Sequence, residues 1–166
     1  KGGEYWRTLS RERGGSSMAL SSSGRWFAAS YGELRIQLWD LHSDTVVAQW
    51  PYRRVYQFQG GDDRILAESP NGAIELIDRE TGTSVASLAL EFDIASAAMD
   101  ASGQRFLVVG QKSRAEQQLI GSWDVDSSAP LFVKRFPLQR VRGLSWTDTS
   151  LRITTNRDDR HIDIQT

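Results

Sequence analysis

Three observations in this 166-residue chain predict an all-β fold, a β-propeller of about four four-stranded antiparallel blades. An apolar stretch running into an acidic turn recurs as Ile36-Gln37-Leu38-Trp39-Asp40, Ile74-Glu75-Leu76-Ile77-Asp78 and Ile120-Gly121-Ser122-Trp123-Asp124, and in part as Ile162-Asp163-Ile164. The copies start 38, 46 and 42 positions apart, a period of roughly 40 that fits one small sheet per unit. Between the copies lie short runs rich in β-branched and aromatic residues, separated by Gly, Ser and Asp turns.

Each unit supplies strands a, b, c and d, counted from the axis outward. In the first, Ser17 to Leu20 is a, the Ser-Ser-Gly turn at 22–24 follows, and Arg25 to Tyr31 is b. After the break at Gly32, Glu33 to Trp39 alternates Leu34, Ile36 and Leu38 with polar neighbours, the period of a half-buried strand. The turn Asp40 to Asp44 leads to strand d, Thr45 to Trp50. The second unit repeats the order with Arg54 to Phe58, Arg64 to Glu68, Ala73 to Ile77 and Ser84 to Leu90. Its turn Asp78-Arg79-Glu80-Thr81-Gly82 offers glycine where a hairpin needs positive φ. The third unit has Ile94 to Met99, Arg105 to Gly110, Gln118 to Trp123 and Leu131 to Phe136. The fourth has Val141 to Trp146, Leu151 to Thr155 and His161 to Gln165, and is one strand short. Residues 4–9 have strand composition and precede the first a strand. They either complete the last blade, which removes two open edges at once, or belong to a preceding blade. The chain thus reads as one domain, 1–166, with blades at about 16–50, 54–90, 94–136 and 140–166, the last completed by 4–9.

Composition narrows the function. The net charge of −1 argues against binding a nucleic-acid backbone, which demands a basic excess. There is no cysteine, so disulfides, thiolate catalysis and Cys-based zinc sites drop out. No apolar run reaches membrane-spanning length and no signal-peptide pattern is present, so no membrane partner and a cytoplasmic location are expected, with the periplasm as the alternative. A start at Lys1 rather than Met reads as a processed or excised piece.

The units resemble the WD-repeat (WD40-like) family over about residues 4 to 166. The resemblance is carried by Leu38-Trp39-Asp40, Ser122-Trp123-Asp124 and the looser Leu76-Ile77-Asp78, with a–b turns at Ser21-Ser22-Ser23-Gly24 and Asp100-Ala101-Ser102-Gly103. The repeats are degenerate. The Gly-His pair of the family is absent from every unit, so its His-Ser/Thr-Trp-Asp hydrogen-bond tetrad cannot form. Quinoprotein and YVTN-type propellers share turns like Asp78-Arg79-Glu80-Thr81-Gly82 and are the rival assignment. The family usually closes with seven or eight blades. Four therefore implies part of a larger ring, a dimer of eight blades, or a four-bladed ring. The resemblance implies a non-catalytic protein-interaction, sensor or signalling scaffold.

Catalytic constellations are thin. His42 falls in a c–d turn and His161 in a c strand, far apart in sequence, and Asp62-Asp63 and Asp158-Asp159 fit turn chemistry better than acid–base work. The Asp-x-Asp-x-Asp spacing of a calcium loop is missing, so no metal and no cofactor are expected. Trp26, Trp39, Trp123 and Trp146 are expected to wedge between blades, whereas Trp6 and Trp50, on outer strands, are candidates for exposed contact surface. The a strands carry Met18, Leu20, Tyr56, Phe58, Ala97, Met99, Leu144 and Trp146, which read as apolar packing. An enzymatic propeller, hydrolase or quinoprotein-like, would need acids or histidines at that central channel, and this is the second reading.

Topology sorts the charges. The a–b and c–d turns gather Asp40, Asp44, Asp62, Asp63, Asp78, Glu80, Asp100, Asp124, Asp126 and Asp148 on one face. The d–a and b–c loops on the other carry arginines, for which no turn geometry has a need. The candidate protein-binding residues are Arg53, Arg54, Arg114, Arg140, Arg142, Arg157 and Arg160, presented to a protein or acidic peptide partner. The longest loop, Gln111 to Gln117, lies on that face. A second copy, or a second propeller half, is the other partner expected.

Overall fold

The computed structural model describes residues 17–30, 34–59, 61–100, 102–111, 117–127, 129–137, 141–146, 150–155 and 159–163, with side chains as far as Arg135 except Gln111 and Gln117. Among them there is no helix. Four antiparallel sheets follow one another along the chain, each a simple meander. Sheet 1 is β1 (Met18–Leu20), β2 (Trp26–Ser30), β3 (Ile36–Asp40) and β4 (Thr45–Trp50). Sheet 2 is β5 (Arg54–Gln59), β6 (Arg64–Glu68), β7 (Ile74–Asp78) and β8 (Ser84–Leu88). Sheet 3 is β9 (Asp93–Met99), β10 (Arg105–Gln111), β11 (Gln117–Asp124) and β12 (Pro130–Pro137). Sheet 4 has three strands, β13 (Val141–Trp146), β14 (Ser150–Thr155) and β15 (Asp159–Asp163).

The all-β expectation and the strand order hold. The fourth strand expected from residues 4–9 lies outside the described residues, and β3 starts at Ile36 rather than Glu33, leaving Leu34 exposed.

First strands of successive sheets lie along one another: β1 along β5, β5 along β9, β9 along β13. No such packing joins β13 to β1 among the described residues. Two apolar clusters fill the gaps. Ala28, Ile36, Leu38 and Trp50 of sheet 1 meet Val55, Ile65, Ala67 and Ile77 of sheet 2. Leu66, Ile74, Leu76 and Leu88, on the opposite face of sheet 2, meet Ala97, Met99, Phe106, Val108 and Trp123 of sheet 3. Because neighbours along a strand point to opposite faces, β6 is apolar without alternation: Ile65 and Ala67 serve one cluster and Leu66 the other.

The recurring c-strand aspartate now has a physical reason. Register sets Asp40 opposite Trp26, Asp78 opposite Arg64 and Asp124 opposite Arg105. Arg25 Nη2 lies 2.8 Å from Asp40, and Arg105 Nε 3.4 Å from Asp124. The same carboxylates close the c–d turns, Asp40 accepting from His42 N–H and Asp78 from the N–H groups of Glu80 and Thr81. The hydrogen bond from Arg25 holds the Asp40 carboxyl below the usual range, and turn N–H groups do the same for Asp78. The acidic face is thus largely local turn and ion-pair chemistry.

Trp50 corrects an expectation. It is buried in the first cluster rather than displayed on an outer strand. Gly82, at φ +70°, makes room for it, since a Cβ there would overlap the indole. Met18 and Leu20 are corrected the other way, being exposed rather than packed.

Candidate functional site

Arg53 and Arg54, two of the arginines expected to meet a protein partner, stand where the chain passes from β4 to β5. Both are tied down. Arg53 Nη1 lies 3.2 Å and Arg54 Nη1 3.8 Å from the carboxylate of Glu68, the last residue of β6. Glu68 is buried and also accepts a 2.8 Å hydrogen bond from the Tyr56 hydroxyl. Burial, and then the Glu68 charge beside it, push the Tyr56 phenol well above its ordinary range, so it stays a donor at all physiological pH. Arg54 further donates to the Ile94 carbonyl at 2.9 Å, which fastens sheet 2 to the first strand of sheet 3. A buried carboxylate needs such partners, and these two arginines supply them.

The guanidiniums are nevertheless close to half exposed and line a cleft of about 650 Å³ between sheets 2 and 3. Asn71 and Gly72 of the β6–β7 turn and the segment Leu90 to Ile94 complete it. Phe92 gives it an apolar wall, tilted at 42° to Trp123 with centroids 6.5 Å apart. Gly110 admits that ring, because a Cβ at 110 would overlap Phe92. Glu91 and Asp93 also border the cleft, so its lining mixes both signs of charge.

Of the other candidates, Arg142 and Arg160 lie within β13 and β15, positions whose side chains are outside the described set. Arg114, Arg140 and Arg157 lie outside the described residues. The structure therefore brings together Arg53 and Arg54 and adds Glu68 and Phe92, which the sequence does not single out, and Tyr56, expected only as apolar packing. Glu68 carried a signal: an acid ending the otherwise apolar run Ile65-Leu66-Ala67 needs a cation beside it. Nothing in the sequence said which cation.

The opposite edge holds inter-sheet clasps. Asp62, buried at φ +75°, accepts from the N–H and hydroxyl of Ser22, both at 2.9 Å, and from the N–H of Ser23 at 3.2 Å. Burial pushes its carboxyl up, but the hydrogen bonds from Ser22 and Ser23 outweigh this and pull it down to about 2. Arg79 Nε donates to the Asp62 carbonyl at 2.8 Å, and its guanidinium lies 4.3 Å from the Trp26 ring centre, with that of Arg25 at 4.5 Å. Trp39 packs without that fixing, its buried indole Nε1 having no hydrogen-bond partner. Among the described residues no three of His, Cys, Asp and Glu gather as a metal site.

No protein-family model matches the chain, and no curated protein matches it in sequence. It is similar in structure to hydrazine synthase of Kuenenia stuttgartiensis, with a TM-score of 0.70 at 11% identity over 85% of this chain and 43% of that one. Likeness at such identity bears on the fold alone. The match covers less than half of the solved chain, 43%.

Proposed function

We propose that this chain is a run of propeller blades acting as a non-catalytic protein-interaction scaffold, and that the cleft at Arg53 and Arg54 takes a carboxylate-bearing segment of a protein partner. The propeller reading is supported by the succession of meander sheets whose first strands lie side by side. The observation that carries the binding reading is the pair of guanidiniums fixed by one buried carboxylate at the mouth of a largely polar cleft in which Phe92 supplies an aromatic wall. Glu68 holds both forks in place, so little side-chain freedom is lost when the outward N–H groups meet a ligand. The non-catalytic reading is favoured because Glu68, the buried acid of the cleft, is already engaged by Arg53, Arg54 and the hydroxyl of the half-buried Tyr56 behind it.

The test is binding of a fluorescent Glu/Asp-rich peptide, followed by anisotropy at low and high salt. Arg53→Lys with Arg54→Lys keeps the charge Glu68 needs but removes the planar forks. Binding weakened at least tenfold with an unchanged melting temperature supports the site. Unchanged binding, or none by the parent chain, overturns it.

A further inference from the structure

The charges of the cleft limit what it can take. Arg53 and Arg54 share the buried carboxylate of Glu68, so two positive charges less one negative leave a single positive charge for a ligand. One carboxylate neutralises it. A second negative charge finds no further cation among the described lining residues and would stand beside Glu91 and Asp93. A run of acids, or the dianion of a phosphorylated residue, therefore gains nothing here over one acid.

Two more features lie beside that charge. In the β6–β7 turn the Asn71 Oδ1 accepts from the Ser69 hydroxyl and, at 3.3 Å, from the Ala73 N–H. The acceptor end of this exposed amide is thus spent on the turn, and its NH2 end is left as a donor without a partner among the described residues. Gly72 beside it, at φ +85°, has nothing within 4 Å of the place a Cβ would take, so another backbone can approach the turn closely. On the other side, Leu90 and Phe92 are partly buried and packed against the cluster that holds Met99, Phe106 and Trp123. They form a fixed apolar wall, and a ring laid on it extends a core that already exists.

We infer that the cleft reads a pair of neighbouring residues: one isolated acidic side chain beside an aromatic one, in an extended and otherwise uncharged segment of a partner protein. This rests on the carboxylate-binding reading given above and narrows it. The acid meets the outward N–H groups of the two guanidiniums, the ring lies on Phe92 and Leu90, and a backbone carbonyl of the segment accepts from the Asn71 amide. An aromatic ring is preferred to an aliphatic chain because it can pack edge-to-face on Phe92 and can also stack on a guanidinium plane.

The test is fluorescence anisotropy of the full chain with N-acetylated, C-amidated peptides, whose ends carry no charge, in about 0.15 M salt. The reference peptide holds one Glu followed by Phe among Gly and Ser residues. Replacing its Phe by Ala, or its Glu by Gln, should each weaken binding about tenfold. Phosphoserine in place of the Glu should not strengthen binding, and a Glu/Asp-rich peptide should bind less tightly than the reference. Phe92→Leu should reduce the preference for Phe over Ala to about twofold. Asn71→Asp keeps the oxygen that closes the turn but sets a carboxylate in the arginine cleft, and should weaken the reference peptide about tenfold at an unchanged melting temperature. Equal binding of the Phe and Ala peptides overturns the inference, as does unchanged binding by Asn71→Asp. A phosphoserine or Glu/Asp-rich peptide bound more tightly than the reference overturns it too. If that tighter binding is lost with Arg53→Lys and Arg54→Lys, the broader reading of the cleft stands without this one, whereas binding of no peptide overturns both.

Discussion

Arg53 reaches to 3.2 Å from the carboxylate of Glu68, joining an arginine near half exposed to an acid almost wholly withdrawn from water. The pair is asymmetric. Losing Glu68 frees two arginines that water can solvate, while losing the arginines strands a buried charge on Tyr56 alone. Arg53→Ala with Arg54→Ala should therefore destabilise by about 2–3 kcal/mol, and Glu68→Gln by about 1 kcal/mol. Adding Glu68→Gln to the double arginine variant should restore part of the loss. Urea unfolding of the full cycle measures this. Additive losses would show that the ion pairs carry no coupling.

Asp62 gives the fold an acid-sensitive fastening. Its folded carboxyl titrates at about 2, below the unfolded aspartate value of about 3.9, so its contribution is complete above about pH 4 and fades as pH falls towards 2. Asp62→Asn keeps a residue that tolerates positive φ and removes the charge. We expect a loss of about 1–2 kcal/mol at pH 7 and a shallower decline between pH 4 and 2, seen by thermal melts across that range. Parallel acid profiles for parent and variant would remove Asp62 from the account.

Gly82→Ala should cost about 2 kcal/mol or more, because it combines a strained φ with an overlap on the Trp50 indole. Trp50→Leu in the same chain relieves the overlap but not the backbone strain. The double variant should then fall short of the sum of the two single losses, measured by chemical denaturation.

Arg79 ties the turn before β6 to Trp26 of sheet 1 through both a hydrogen bond and its position over the ring. Arg79→Ala should lower stability by about 1 kcal/mol, and Arg79→Lys should recover less than half of that, since an ammonium loses the planar contact. Trp26 fluorescence is not separable among six tryptophans, so calorimetric melting is the readout.

Much of the architecture was legible because the chain repeats. Thr45–Trp50, Arg64–Glu68 and Val141–Trp146 fall at the bounds that alternation and turn residues imply. What repeat logic conceals is the difference between a middle unit and an end one. Met18 and Leu20 look like the apolar a strands of other units, yet are exposed where Ala97 and Met99 are buried. Trp50 looked like surface on an outer strand, and its burial depends on Gly82, more than thirty residues on. The cleft was half legible: Arg53 and Arg54 were singled out, but their hold on Glu68 is a contact between a loop and a strand end that spacing does not encode.

The middle of sheet 2 has no face of its own to show to water: Ile65 and Leu66, adjacent in sequence, are each wholly buried in a different cluster. The core of such a unit is shared with both neighbours at once. Opening should then travel inward from the outer sheets, with the amides of β6 and β7 the last to exchange with solvent.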